Sequence, residues 1–117
     1  MSKDGIWMPL YIGDYLADTM HLSTEQHGAY LLIIMAYWRN RGPLKDDDEH
    51  LANICRMMVE SWTGHRPTIE SLFDLKSRPG WWVHGRIDKE LADATKRREV
   101  GHARGKAGAK RRWDKNA

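Results

Sequence analysis

Cysteine is nearly absent: Cys55 stands alone in 117 residues. A single thiol excludes a disulfide framework and a CxxC zinc site, and it suits a reducing cytoplasm. Long hydrophobic runs are missing too. The longest, Ala29 to Trp38, has ten residues, well short of the roughly twenty that a transmembrane helix needs. The opening, Met1 to Gly5, carries no apolar h-region, so no secretory signal is expected and the expected location is cytoplasmic. Internal repeats are absent, and no heptad pattern is long enough to demand a coiled coil, which leaves a homodimer open.

What is present is the composition of one soluble domain, 41% hydrophobic and 30% charged. The charge is partitioned. Residues 1–95 hold ten Lys/Arg against fourteen Asp/Glu, net −4, whereas residues 96–117 hold nine against two, net +7. This predicts a folded domain over 1–95 and a basic C-terminal arm over 96–117. Val100 and Trp113 are the arm's only large apolar side chains. They bury too little to offset its ordering entropy, so the arm is expected to be flexible, or helical only when bound.

The segment from Trp7 to Tyr15 mixes aromatics with Pro9 and Gly13 and reads as extended chain entering a short helical turn near Asp14 to Asp18. A strong helix follows. Ser23 and Gln26 make a capping box, Glu25 complements the dipole, and Gly28 to Trp38 is apolar on nearly every side, the mark of a central helix. Gly42 is expected to cap it, and Pro43 forbids its continuation. Leu44 and its neighbours suit a very short strand. Asp46 to Glu49 then open a second helix, striped by Leu51, Ile54, Cys55 and Met58. A third, within 60–75, places Trp62, Ile69, Leu72 and Phe73 on one face, with Pro67 in its first turn or at a bend. Turn chemistry at Arg78 to Gly80 and alternation from Trp81 predict an antiparallel hairpin over 75–87, with Trp81 packed and Trp82 exposed. Asp88 can cap a last helix through Leu91 and Ala94.

This order predicts a mainly α chain with a small β-hairpin, an α+β winged helix-turn-helix with a basic arm. Its core should gather Tyr30, Leu31, Ile34, Trp38, Leu51, Ile54, Cys55, Trp62, Ile69, Leu72 and Phe73.

The residues from Tyr11 to Thr19, then His21, Leu22, Ser23, Glu25 and the run His27 to Leu31, resemble the opening of the YdaU-type phage and prophage family. Trp38, Gly42 to Leu44, Leu51, Ala52, Trp62, Arg66, Pro67, Phe73, Trp81, His84 and Arg86 to Asp88 extend the likeness over essentially the whole chain. The Arg/Lys/Gly/Ala tail is similar to the family's usual ending. The resemblance implies a small phage-encoded protein that belongs with replication-initiation or helicase-loading genes and is similar to winged-helix replication proteins. It brings no catalytic residues.

The residues themselves give no support to catalysis. Gly101 to Ala107 has one residue too few between glycines for a phosphate-binding loop, and no Ser or Thr follows Lys106. The acidic run Asp46 to Glu49 could hold Mg²⁺, but a helix N-terminus accounts for it. His21, Glu25 and His27 miss the HExxH spacing, and His27 reads as a core histidine bonded to backbone. No enzyme, cofactor or metal site is expected.

Binding residues are better supported. In the arm, Lys96, Arg97, Arg98, Arg104, Lys106, Lys110, Arg111 and Arg112 suit phosphate contacts, against the blander reading of a solubilising tail. In the wing, Lys76, Arg78, Trp82, His84 and Arg86 could flank a DNA backbone or enter a groove. In the third helix only His65 and Arg66 are candidates for reading bases, which is few for a recognition helix. The expected partner is DNA, with a phage or host replication protein as the alternative. In that alternative the chain is a small adaptor or inhibitor docking through an acidic surface and an exposed Trp. No membrane partner is expected.

Overall fold

The computed structural model describes residues 6–97. These residues are mainly helical with one small antiparallel sheet, the α+β class expected. The order is α1 (Ile12–Asp18), α2 (Thr24–Asn40), β1 (Leu44–Lys45), α3 (Asp48–Ile54), α4 (Val59–Glu70), β2 (Trp81–Trp82) and α5 (residues 85–97). Most of the expected arm, residues 98–117, lies outside the described residues, and α5 runs through the expected boundary at 95.

Helix α2 is the centre. Ser23 Oγ accepts from the Gln26 N–H while Gln26 Oε1 accepts from the Ser23 N–H, the reciprocal box the sequence spells out. Ala29, Tyr30, Ile33, Ile34, Tyr37 and Trp38 are buried along it, and α3 and α4 pack against it and each other. At its end Arg41, not Gly42, takes the left-handed conformation, with φ 61°. Pro43 holds its predecessor out of the helical region, so the reversal falls one residue earlier. The N–H groups of Arg41 and Gly42 then donate to the Trp38 and Tyr37 carbonyls.

Helix α3 starts where its carboxylates predict: Asp47 Oδ1 accepts from the Glu49 and His50 N–H groups. It is shorter than its apolar stripe. Arg56, at φ 57°, ends it, so Met58 lies outside, exposed, and Ala52 is buried instead. Helix α4 begins at Val59 and carries Pro67 inside it, with the wholly buried Trp62 anchoring the turns ahead of the proline.

The hairpin departs most from expectation. Strand β2 pairs with β1, Leu44 opposite Trp82 and Lys45 opposite Trp81, and Asp74 makes a lone bridge to Val83. Gly80 turns the chain at φ 87°, and the Arg78 carbonyl accepts from the Trp81 N–H. Register with the buried Leu44 sends Trp82 inward, against the expectation that it is exposed, and leaves Trp81 only half-buried. Beyond Val83 the chain is not strand at all. His84, rather than Asp88, caps α5: its Nδ1 accepts from the Ile87 N–H at 3.3 Å and its carbonyl from the Asp88 N–H. Ile87 and Leu91 then face the core one helical turn apart.

Of the expected core, Leu31, Ile54, Leu72 and Phe73 are only half-buried and the other seven are buried. The aromatic rings form a continuous row. Trp62 meets Trp82 at 5.8 Å between centroids, Trp82 meets Phe73 at 5.0 Å, Phe73 meets Tyr30 edge-on at 5.8 Å, and Tyr30 stacks on Tyr15 at 5.9 Å. This row ties α4, β2, α2 and α1 together.

Candidate nucleic-acid interface

Helix α4 holds the two residues expected to read bases, and both are turned to their own chain. Arg66 donates from Nη1 to Asp48 Oδ1 at 2.7 Å, from Nη2 to Asp46 Oδ2 at 3.0 Å and from Nε to Glu70 Oε2 at 3.0 Å. Its guanidinium also lies 5.5 Å from the Trp82 ring centroid. The acidic run is thereby explained. Asp47 caps α3, while Asp46 and Asp48 receive Arg66 and the indole N–H groups of Trp82 and Trp62. These donors hold both carboxyls below the usual carboxylate range, Arg66 leading at Asp46 and the Trp62 indole at Asp48.

His65 is equally committed. Its Nδ1 accepts from Gln26 Nε2 at 3.1 Å, so Nε2 carries the proton and donates to Glu25 Oε2 at 3.1 Å. The pair joins α4 to the first turn of α2. A recognition role for α4 therefore has neither side chain to spend.

The residues expected to form a wing are dispersed. Trp82 is enclosed. Lys76 is exposed beside Asp74, whose carboxylate accepts from the Lys76 and Ser77 N–H groups. Arg78 is exposed and stacks 4.5 Å from the ring centroid of the half-buried Trp81. Arg86 lies elsewhere, paired with Asp14 and Asp18 of α1 and set over the Tyr11 ring. His84 is part of the interior. Its Nε2–H donates to Tyr30 Oη at 3.0 Å, and burial keeps its pKa below that of an ordinary histidine, so it stays neutral at pH 7. Burial likewise pushes the Tyr30 phenol and the Cys55 thiol up to about 12 each, which leaves neither a nucleophile near neutrality. His27 accepts or donates at Tyr15 Oη, 2.9 Å away, and not at the backbone.

Tyr37 closes this region. Its hydroxyl donates to Asp88 Oδ1 at 2.6 Å and accepts from the His84 N–H at 3.1 Å. Replacing it by Phe leaves that N–H without an acceptor, and unfolding in urea should show a loss of about 1–3 kcal/mol. Unchanged stability would mean that the hydroxyl bridge carries nothing.

Of the arm, Lys96 and Arg97 are described, exposed on the last turn of α5. Arg98, Arg104, Lys106, Lys110, Arg111 and Arg112 lie outside the described residues. Arg97 borders a groove of about 540 Å³ that the sequence did not disclose. Trp7 and Pro9 form one side, Trp38 and Leu91 the floor, and Arg41 stands at the end of α2. Trp7 is 72% exposed.

A family model described as "Protein of unknown function (DUF1376)" matches residues 6–92, from the start of the described structure into α5. The chain belongs to that family. It is 42% identical over 106 residues to the "Uncharacterized protein YdaU" of Escherichia coli (strain K12). That alignment covers 91% of this chain and 36% of the relative, so the chain spans about a third of the length of the curated protein it matches. No solved structure gives a significant match. The DUF1376 match stops short of the basic arm and takes in the groove residues except Ala94, Thr95 and Arg97. Among the described residues, no helix is long and apolar enough to cross a membrane, and no three His, Cys, Asp or Glu are grouped to hold a metal ion.

Trp7 and Arg41 of this DUF1376 chain line the groove and were not among the expected binding residues. Their signal was faint: an indole in a segment with no helical or strand period, and an arginine where a glycine is the usual helix stop.

Proposed function

We propose that the chain is a phage-encoded, non-catalytic DNA-binding protein of winged-helix design, acting in replication initiation or helicase loading. The order α2, β1, α3, α4, β2, with β2 returning to β1, supports that design, and the family resemblance supports the setting. The observation that carries the binding is the charge partition, net +7 over residues 96–117 against −4 before them. Since Arg66 and His65 are committed internally, the affinity comes from phosphate contacts of the arm and tolerates sequence.

The test is a salt titration on duplex DNA. With about five to seven counterions displaced, log K should fall against log salt with a slope near −5 to −6. Ending the chain at Thr95 should remove most of that slope and leave the melting temperature within about 2 °C of the full chain, because the core residue Leu91 and the partly buried Ala94 packed against the core remain. A slope untouched by truncation would place the binding elsewhere and defeat the reading.

The second reading, a protein adaptor, is favoured by one observation. Ile12, Leu16 and Met20 of the α1 region are more than half exposed, an apolar strip of the kind that marks protein contacts. Ile12→Ser with Leu16→Ser should leave DNA affinity unchanged. Loss of a co-purifying replication protein from infected cells in that variant alone would favour the adaptor.

A further inference from the structure

We propose that the groove between the N-terminal segment and the ends of α2 and α5 is a subsite for single-stranded DNA, an unpaired base stacking on Trp7 and backbone phosphates lying at Arg41 and Arg97. The inference rests on the DNA-binding reading and deepens it by naming the form of DNA.

Three features converge there. Trp7 is the most exposed tryptophan among the described residues, and an indole face open to solvent is a platform on which any base can stack. The groove's volume of about 540 Å³ lies within the 300–1,000 Å³ or so common to small-ligand sites, and Trp38 and Leu91 give it an apolar floor. Arg39, Arg41 and Arg97 line it, and Arg97 is continuous with the net +7 segment, so the groove opens where the cationic arm begins. Arg39 and Arg41 also offset the partial negative charge at the carbonyl end of α2, which would otherwise repel a phosphate.

Duplex DNA fits this site poorly, since its stacked bases present no free face to an indole. The element that would enter a major groove, α4, has Arg66 tied to carboxylates and His65 to a carboxamide and a carboxylate of its own chain. An acidic peptide could meet the arginines, but it offers Trp7 a flat ring only where an aromatic side chain is spaced to reach it, whereas every nucleotide carries one. Unpaired nucleotides supply both halves, anionic backbone and π-face.

Arg41 makes the test clean. It holds φ 61°, where glycine is the less strained residue, so Arg41→Gly deletes the guanidinium without harming the fold. With the full chain, anisotropy of labelled oligo(dT), oligo(rU) and a duplex of equal length is measured against salt. The wild type should hold oligo(dT) most tightly. Trp7→Ala should weaken oligo(dT) by roughly 5- to 100-fold with its salt slope unchanged, while duplex affinity stays the same. Arg41→Gly should weaken oligo(dT) severalfold and flatten its slope by about 0.7, one phosphate on a single strand, at an equal or higher melting temperature. If both variants bind oligo(dT) like the wild type while the arm's salt slope persists, the groove is not the subsite, though the arm-driven reading stands. Tighter binding of oligo(rU) or duplex than of oligo(dT) overturns the choice of single-stranded DNA. A wild type that binds no oligonucleotide overturns both.

Discussion

Trp82→Ala should destabilise the domain by about 3–5 kcal/mol, a large share of the 5–15 kcal/mol that holds a typical domain together. Trp82 has no solvent exposure. Its ring contacts Trp62 and Phe73, its Nε1–H donates to Asp46 Oδ1 at 3.0 Å, and Arg66 lies over its face. Truncation opens a cavity at the junction of α4 and the sheet, and it also strips Asp46 of a donor. Trp82→Phe refills most of the space and should recover part of the loss, but not the hydrogen bond. Trp81→Ala is the control. Its ring is half-buried with Arg78 over it, so urea unfolding should register a clearly smaller loss, about 1–2 kcal/mol. Equal losses at the two tryptophans would mean that the register Leu44 opposite Trp82 is wrong.

Arg66→Met should cost about 2–4 kcal/mol at neutral pH, between the values for a surface ion pair and a buried one, because the site is partly open to water. The substitution keeps apolar volume over Trp82 and leaves Asp46, Asp48 and Glu70 facing each other without a counter-charge. The pH dependence has a definite sign. Asp46 and Asp48 have folded pKa values below their ordinary ones, so their stabilising contribution is complete above about pH 4, the unfolded value, and is lost as pH falls through the folded values. Protonation relieves the repulsion in the variant while it weakens the wild type. The stability gap between them should therefore shrink from pH 7 to pH 3. A gap that is constant over that range would show that the loss is packing and not charge.

The Arg66 cluster shows where reading a sequence stops. Asp46, Asp48 and Arg66 are twenty or fewer residues apart, and each has a sound local explanation by itself: carboxylates at a helix start, a cation on a helix proposed to read DNA. Nothing local says that the helix start and the cation meet. The turn between α3 and α4, set by the left-handed Arg56, decides that. His65 and Gln26, 39 residues apart, are the same case. A lone cation in a sequence is a candidate for an external anion only until the fold shows whether an internal one is within reach.

Local chemistry was legible wherever a few neighbouring residues settle the matter. The capping box at Ser23, the cap at Asp47, the apolar length of α2, the short strand at Leu44 and the turn at Gly80 all follow from backbone donors, dipoles and side-chain period. The charge partition and the YdaU-type resemblance were legible for the same reason, being properties of residue order alone. What the tertiary structure decided were matters of pairing. Alternation from Trp81 to Ile87 fits a strand, but a strand needs a partner. β1 offers one for only two residues before His84 caps a helix, so Trp82 turns inward and Ile87 reaches the core from α5. The groove at Trp7 arises likewise, from the start of the described chain meeting the ends of two helices. Periodicity reports which face of an element is apolar. Only packing decides what that face meets, because burial depends on partners distant in sequence.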